Sequence, residues 1–126
     1  MESKCRKLRI IDTMINQHEL KLATEPFEAI ALGKKTIESR LFDEKRSTIQ
    51  LGDIVVFTNR ENPSRSVKVK VIGLLRYGTF ADMFSHNDPT KFGGENAGWL
   101  LNQVNEFYSL EDQKQYGVLG IEFVLL

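Results

Sequence analysis

Apolar residues fall at every second position in some stretches of this chain and at every third or fourth in others. His18 to Leu22 reads as a short strand, with Leu20 and Leu22 on one face. Thr24 stands where a helix N-cap belongs, with Pro26 in the first turn and Glu25 near the positive helix end. Phe27, Ile30 and Ala31 then share one face of a helix that runs to Leu32. Gly33 is its natural stop, since it tolerates the left-handed conformation of a residue just past a helix. From Thr36 to Leu41 the alternation returns. Thr36, Glu38 and Arg40 lie on one face, and Ile37, Ser39 and Leu41 on the other.

Phe42 to Thr48 reads as a polar loop. Its Asp43, Glu44, Lys45 and Arg46 are expected in solvent, with Arg46 within reach of a ligand. Gln50 to Asp53 is a turn with Gly52 at its strained position. Ile54 to Thr58 is an apolar strand, Asn59 to Ser64 a hairpin loop, and Ser66 to Leu75 a long strand. In that long strand Val67, Val69 and Val71 point inward and Lys68 and Lys70 outward. Thr79 caps a short helix, Phe80 to Phe84, and Ser85 to Gly94 follows as a long polar loop. Loops of that length are often functional, which makes Lys91, Phe92 and the adjoining Glu95 contact candidates. Asn96 to Tyr108 predicts the longest helix, with an apolar stripe of Ala97, Leu100, Leu101, Val104, Phe107 and Tyr108 centred on Val104. Trp99 lies off that centre, placed either for a cleft or for packing. One or two helical turns over Leu110 to Tyr116 end at Gly117, and Val118 to Leu125 closes the sheet. The pattern predicts an α+β protein: a twisted, mostly antiparallel, barrel-like sheet with short helices at its rim.

Length allows one domain with one core, since the chain has 126 residues. The core pattern begins near His18, so residues 1–16 read as an extension, expected to be poorly ordered, and 17–126 as the domain. The extension is basic through Lys4, Arg6, Lys7 and Arg9 and partly apolar through Ile10, Ile11, Met14 and Ile15, with Met14 an alternative start. Seventeen basic and 17 acidic residues balance, so any nucleic-acid binding must rest on a local basic patch. The lone cysteine, Cys5, excludes an internal disulfide and a multi-cysteine zinc site, and fits a reducing cytoplasm. His18 and His86 lack metal-ligand spacing and are expected as surface or capping residues. Phosphate-cradling and dinucleotide fingerprints are missing, so neither a metal nor a cofactor is expected. No run of apolar residues approaches a membrane span.

The chemistry gathers in Gly33-x-Lys35-x-x-Glu38-x-Arg40. That spacing resembles the signature of the ASCH domain family, small modules with a PUA-like β-barrel. The resemblance runs from about Glu19 to Phe123 and takes in the strand Gly117-x-x-Gly120-Ile121-Glu122-Phe123. Read without it, a Lys/Glu/Arg cluster on a strand is an ion pair facing water that contributes little. With it, two functions are implied. The first is a module binding RNA or a nucleotide-like ligand in a cleft between the signature and the Ser85–Glu95 loop. Lys35, Thr36, Glu38 and Arg40 would contact the ligand, and Tyr77 or Phe92 would stack on a base. The second is an amidohydrolase acting on an acylated nucleoside such as acetylcytidine, with Lys35, Glu38 and Glu95 as its catalytic residues. That branch of the family carries a threonine nucleophile where this chain has Glu38, so here the carboxylate would have to activate water instead.

Overall fold

The computed structural model describes residues 16–126. The extension assigned to residues 1–16 lies almost wholly outside them. Five strands form one sheet: β1 (Gln17–Leu22), β2 (Ile37–Leu41), β3 (Ile54–Asn59), β4 (Ser66–Tyr77) and β5 (Val118–Leu125). Their order across the sheet is β1-β3-β4-β5-β2, with β1 and β3 parallel and the other pairs antiparallel. Four short helices accompany the sheet: α1 (Thr24–Ala31), α2 (Phe80–Ser85), α3 (Ala97–Asn105) and α4 (Leu110–Tyr116). Two single 3₁₀ turns, Arg46–Thr48 and Pro89–Phe92, complete it.

The sheet curls because β4 is long and broken. Its register against β5 shifts between Val71 and Gly73, a bulge that bends the strand and increases its twist. Gly73 is required there: a Cβ would lie 2.6 Å from Glu122 Oε1. The concave side holds the main core of Leu20, Phe27, Ile30, Val55, Phe57, Val69, Ile121 and Phe123 among others. A second cluster lies on the other side of β2, under α2 and α3, and contains Ile37, Leu41, Phe80, Met83, Phe84, Phe92, Leu100 and Val118.

Strand β2 is therefore buried on both faces, whereas its alternation reads as one covered face and one polar face. Ile37 and Leu41 enter the second cluster. Glu38 and Arg40 stand opposite Ile121 and Leu119 of β5, which belong to the main core.

Three local readings change. Ala23, not Thr24, occupies the N-cap of α1, and the Thr24 hydroxyl bonds Asn59 Oδ1 at 3.4 Å. The polar loop after α2 contains the Pro89–Phe92 turn, started by Asp88, whose carboxylate accepts from the Thr90 amide. The long helix ends at Asn105 because its stripe outruns the surface beneath it: Leu100 is buried, Val104 half-buried, and Phe107 68% exposed. Leu100→Ala is expected to cost about 2–5 kcal/mol, as truncation of a buried leucine does. Phe107→Ala should stay within about 0.5 kcal/mol. Urea unfolding of the two variants checks the difference.

Candidate functional site

Helix α1 delivers the signature. Gly33 takes φ +76° just past the helix, and the amides of Lys34 and Lys35 both bond back to Ala29 O, at 2.9 and 3.1 Å. The chain then turns into β2, with the Phe123 amide bonded to Thr36 O at 3.1 Å. Lys35, Glu38 and Arg40 converge. Lys35 Nζ lies 2.7 Å from Glu38 Oε1. Arg40 meets Glu38 Oε2 through Nη2 at 2.7 Å and through Nε at 2.8 Å. Arg40 Nη2 also donates to Lys21 O at 2.9 Å. Lys21 belongs to β1 and Arg40 to β2, the two edges of the sheet. The guanidinium thus joins the edges and closes the curl.

This is not a solvated ion pair. Glu38 is 4% exposed and Arg40 9%. Burial by itself would raise the Glu38 carboxyl, but the charges of Lys35 and Arg40 and their hydrogen bonds more than offset it and hold it at about 2. Burial would likewise lower Arg40, and the Glu38 carboxylate raises it above its ordinary value. Two cations share one anion, so the cluster carries one net positive charge where water is scarce.

The other candidate residues are distributed unevenly. Thr36, half-buried at the mouth of β2, donates its amide to Lys91 O at 2.8 Å. The Pro89–Gly94 segment is thereby drawn down over the signature instead of standing off from it as the wall of an open cleft. Lys35 keeps 12% of its side chain exposed, and its stem packs beside Gly93, where a Cβ would lie 3.2 Å from Lys35 Cδ. Phe92, read as a stacking residue, is 3% exposed and packs edge-on against Phe84, so it has no open face for a base. Tyr77 lies in one row with Val118 and Leu41, at the far end of β2 from Lys35, and stacks on His86. Glu95 is exposed. Trp99 is 41% exposed, and its ring lies against Gly94, next to the glycine that covers Lys35.

A second polar cluster escaped the sequence reading. His18 Nε2 lies 2.8 Å from Asp53 Oδ2, and Asp53 is buried and also accepts from the Gln50 amide. Asp43 holds Arg46 through the backbone amide at 3.0 Å and Nη1 at 2.8 Å. Proximity of His18 to Asp53 across 35 positions has no local signal in the chain. The Asp43–Arg46 spacing of three was readable, and its burial was not. Among the described residues no group of three or more His, Cys, Asp or Glu is placed to hold a metal ion. No described helix is long and apolar enough to cross a membrane.

The sequence matches the ASCH domain family over residues 20–126. The chain belongs to the ASCH domain family. Among solved structures it is similar to a hypothetical protein, PH0355, at 35% identity, over 87% of this chain and 99% of that one, with a TM-score of 0.77. The protein PF0455 from Pyrococcus furiosus is 33% identical over 87% of this chain and 97% of that one, with a TM-score of 0.69. An ASCH protein from Zymomonas mobilis shares 13% identity over 84% of this chain and 65% of that one, at a TM-score of 0.54, a likeness of fold alone. No curated protein matches the sequence. The curled five-stranded sheet with helices at its rim is the PUA-like fold of this ASCH domain.

The depressed Glu38 carboxyl fixes the sign of its pH dependence. Its folded-state value lies below the unfolded one, so its stabilisation is full above about pH 4.5 and is lost as pH falls toward about 2. Glu38→Gln should therefore lose about 3–5 kcal/mol at neutral pH, because two buried cations lose their anion. Lys35→Met should lose less, since Arg40 still pairs with Glu38. Thermal melts of both variants at neutral pH and in acid check the order and its convergence.

Proposed function

We propose that this ASCH domain is a binding module for RNA or a nucleotide-like ligand, with a phosphate of that ligand received at Lys35. The observation that carries the reading is the charge count of the signature: Lys35 and Arg40 share Glu38 alone. A partly desolvated excess cation favours an incoming anion, and a lysine that gives one hydrogen bond to Glu38 retains two further donors. Trp99, open beside Gly94, takes the stacking role that the sequence assigned to Phe92 or Tyr77. Thr36 and Arg40 position the cluster.

The acyl-nucleoside hydrolase reading has less support. A carboxylate held at about 2, with both oxygens engaged by cations, is a weak general base near neutral pH. Exposed Glu95 has no recorded bond to that cluster.

Thermal shift against nucleosides, nucleotides and short single-stranded RNAs tests the proposal. Phosphate-bearing ligands should raise the melting temperature and unphosphorylated nucleosides should not, because only a ligand of the native state stabilises it. Lys35→Met should abolish the response. Affinity should fall with salt at a logarithmic slope of roughly −0.7 per neutralised phosphate of a single strand. An undiminished response in Lys35→Met would remove Lys35 from the site, and release of acetate from acetylcytidine by the unaltered protein would favour the hydrolase.

A further inference from the structure

The signature satisfies most of its own hydrogen-bonding capacity, whereas the seam between β1 and the turn after β2 does not. A hollow opens there, lined by Gln17, His18, Glu19, Lys45, Arg46 and the apolar floor of Leu20 and Ile49. No signature residue lines it. Each of two lining cations is backed by a carboxylate. Asp53, buried, holds His18 Nε2, which leaves Nδ1 as the nitrogen for another partner. Asp43 grips Arg46 at both its backbone amide and Nη1, and this fixes the 3₁₀ turn. Arg46 Nε is buried with no hydrogen-bond partner among the described residues. A buried donor without a partner is costly, and native structures rarely leave one without a reason. Lys45 is exposed at the rim. The remaining acid, Glu19, accepts from the Thr58 hydroxyl at 3.3 Å.

We infer that this hollow is a second ligand site, taking the dianionic phosphate of a phosphomonoester between His18, Arg46 and Lys45. Arg46 supplies the unpaired Nε–H and Lys45 a mobile ammonium. The Asp53-oriented imidazole meets the phosphate through Nδ1, as acceptor to a P–OH or, once protonated, as donor to a P–O⁻. The charged groups facing His18 are Asp53 from the turn before β3, Glu19 from its own strand, and Lys45 and Arg46 from the turn after β2. An added dianion shifts that balance toward imidazolium, so binding and proton uptake are linked. A monoester fits better than a diester because it brings the second charge and the exchangeable proton.

The test is an NMR titration of the full chain with inorganic phosphate, following the rings of His18 and His86, the two histidines of the chain. His86 lies on α2 against Tyr77, outside the hollow, and serves as the internal control. His18 should shift saturably and its titration midpoint should rise, while His86 responds as it does to chloride at matched ionic strength. A nucleoside 5′-monophosphate should act like phosphate, and dimethyl phosphate should not. Lys45→Ala, an exposed change with no effect on melting, should weaken binding by about tenfold, the loss of one charge-assisted contact. Arg46→Gln should weaken it further, and Lys35→Met should leave it unchanged, which separates this site from the signature. Parallel movement of both histidines, an equal response to dimethyl phosphate, or unaltered binding in Lys45→Ala would overturn the inference.

Discussion

On the inner face of β2 one carboxylate, Glu38, serves two cations, and the closure of the sheet rests on that arrangement. Arg40 can bond β1 through Lys21 O only if its guanidinium is held in place, and both its Nε and Nη2 are held by Glu38. Removing either partner leaves a charge among Leu119, Ile121 and their neighbours, where its desolvation is uncompensated. An exposed pair of the same composition would matter little. What gives this one weight is that β2 has a core on each side.

The same arrangement sets the terms for function. Glu38 spends its lone pairs on its neighbours, so the reactive capacity of the signature lies in its surplus positive charge and not in its carboxylate. The Pro89–Gly94 segment narrows access further. It is tied down by Thr36 at Lys91 O and plugged into the second cluster by Phe92. Lys35, below Gly93, is left as the member through which an anion is met, with Trp99 as the adjacent open ring.

Much of this was legible in the chain. Period-two alternation located β3 and β4, the glycines ended α1 and α4 where expected, and the Gly33–Arg40 spacing marked the family. Alternation failed at β2 because a polar row on a strand looks the same whether it faces water or a core. Only a second layer, built from α2, α3 and Phe92, decides that, and those residues lie 40 or more positions later. Phe92 was misread for a related reason: a polar loop composition hides one apolar anchor. The His18–Asp53 contact was invisible because parallel pairing of β1 with β3 makes it, and pairing register is a property of the whole sheet.

The central claim is that Glu38 and Arg40 act as one buried unit. A double-mutant cycle on stability measures it directly, with Glu38→Gln, Arg40→Met and the pair unfolded by urea at neutral pH. The account predicts a coupling of at least about 1.5 kcal/mol, with the double variant less destabilised than the sum of the single ones, because removing both charges strands neither. Additivity within about 0.5 kcal/mol would contradict it, and would mean that the two side chains stabilise the sheet independently.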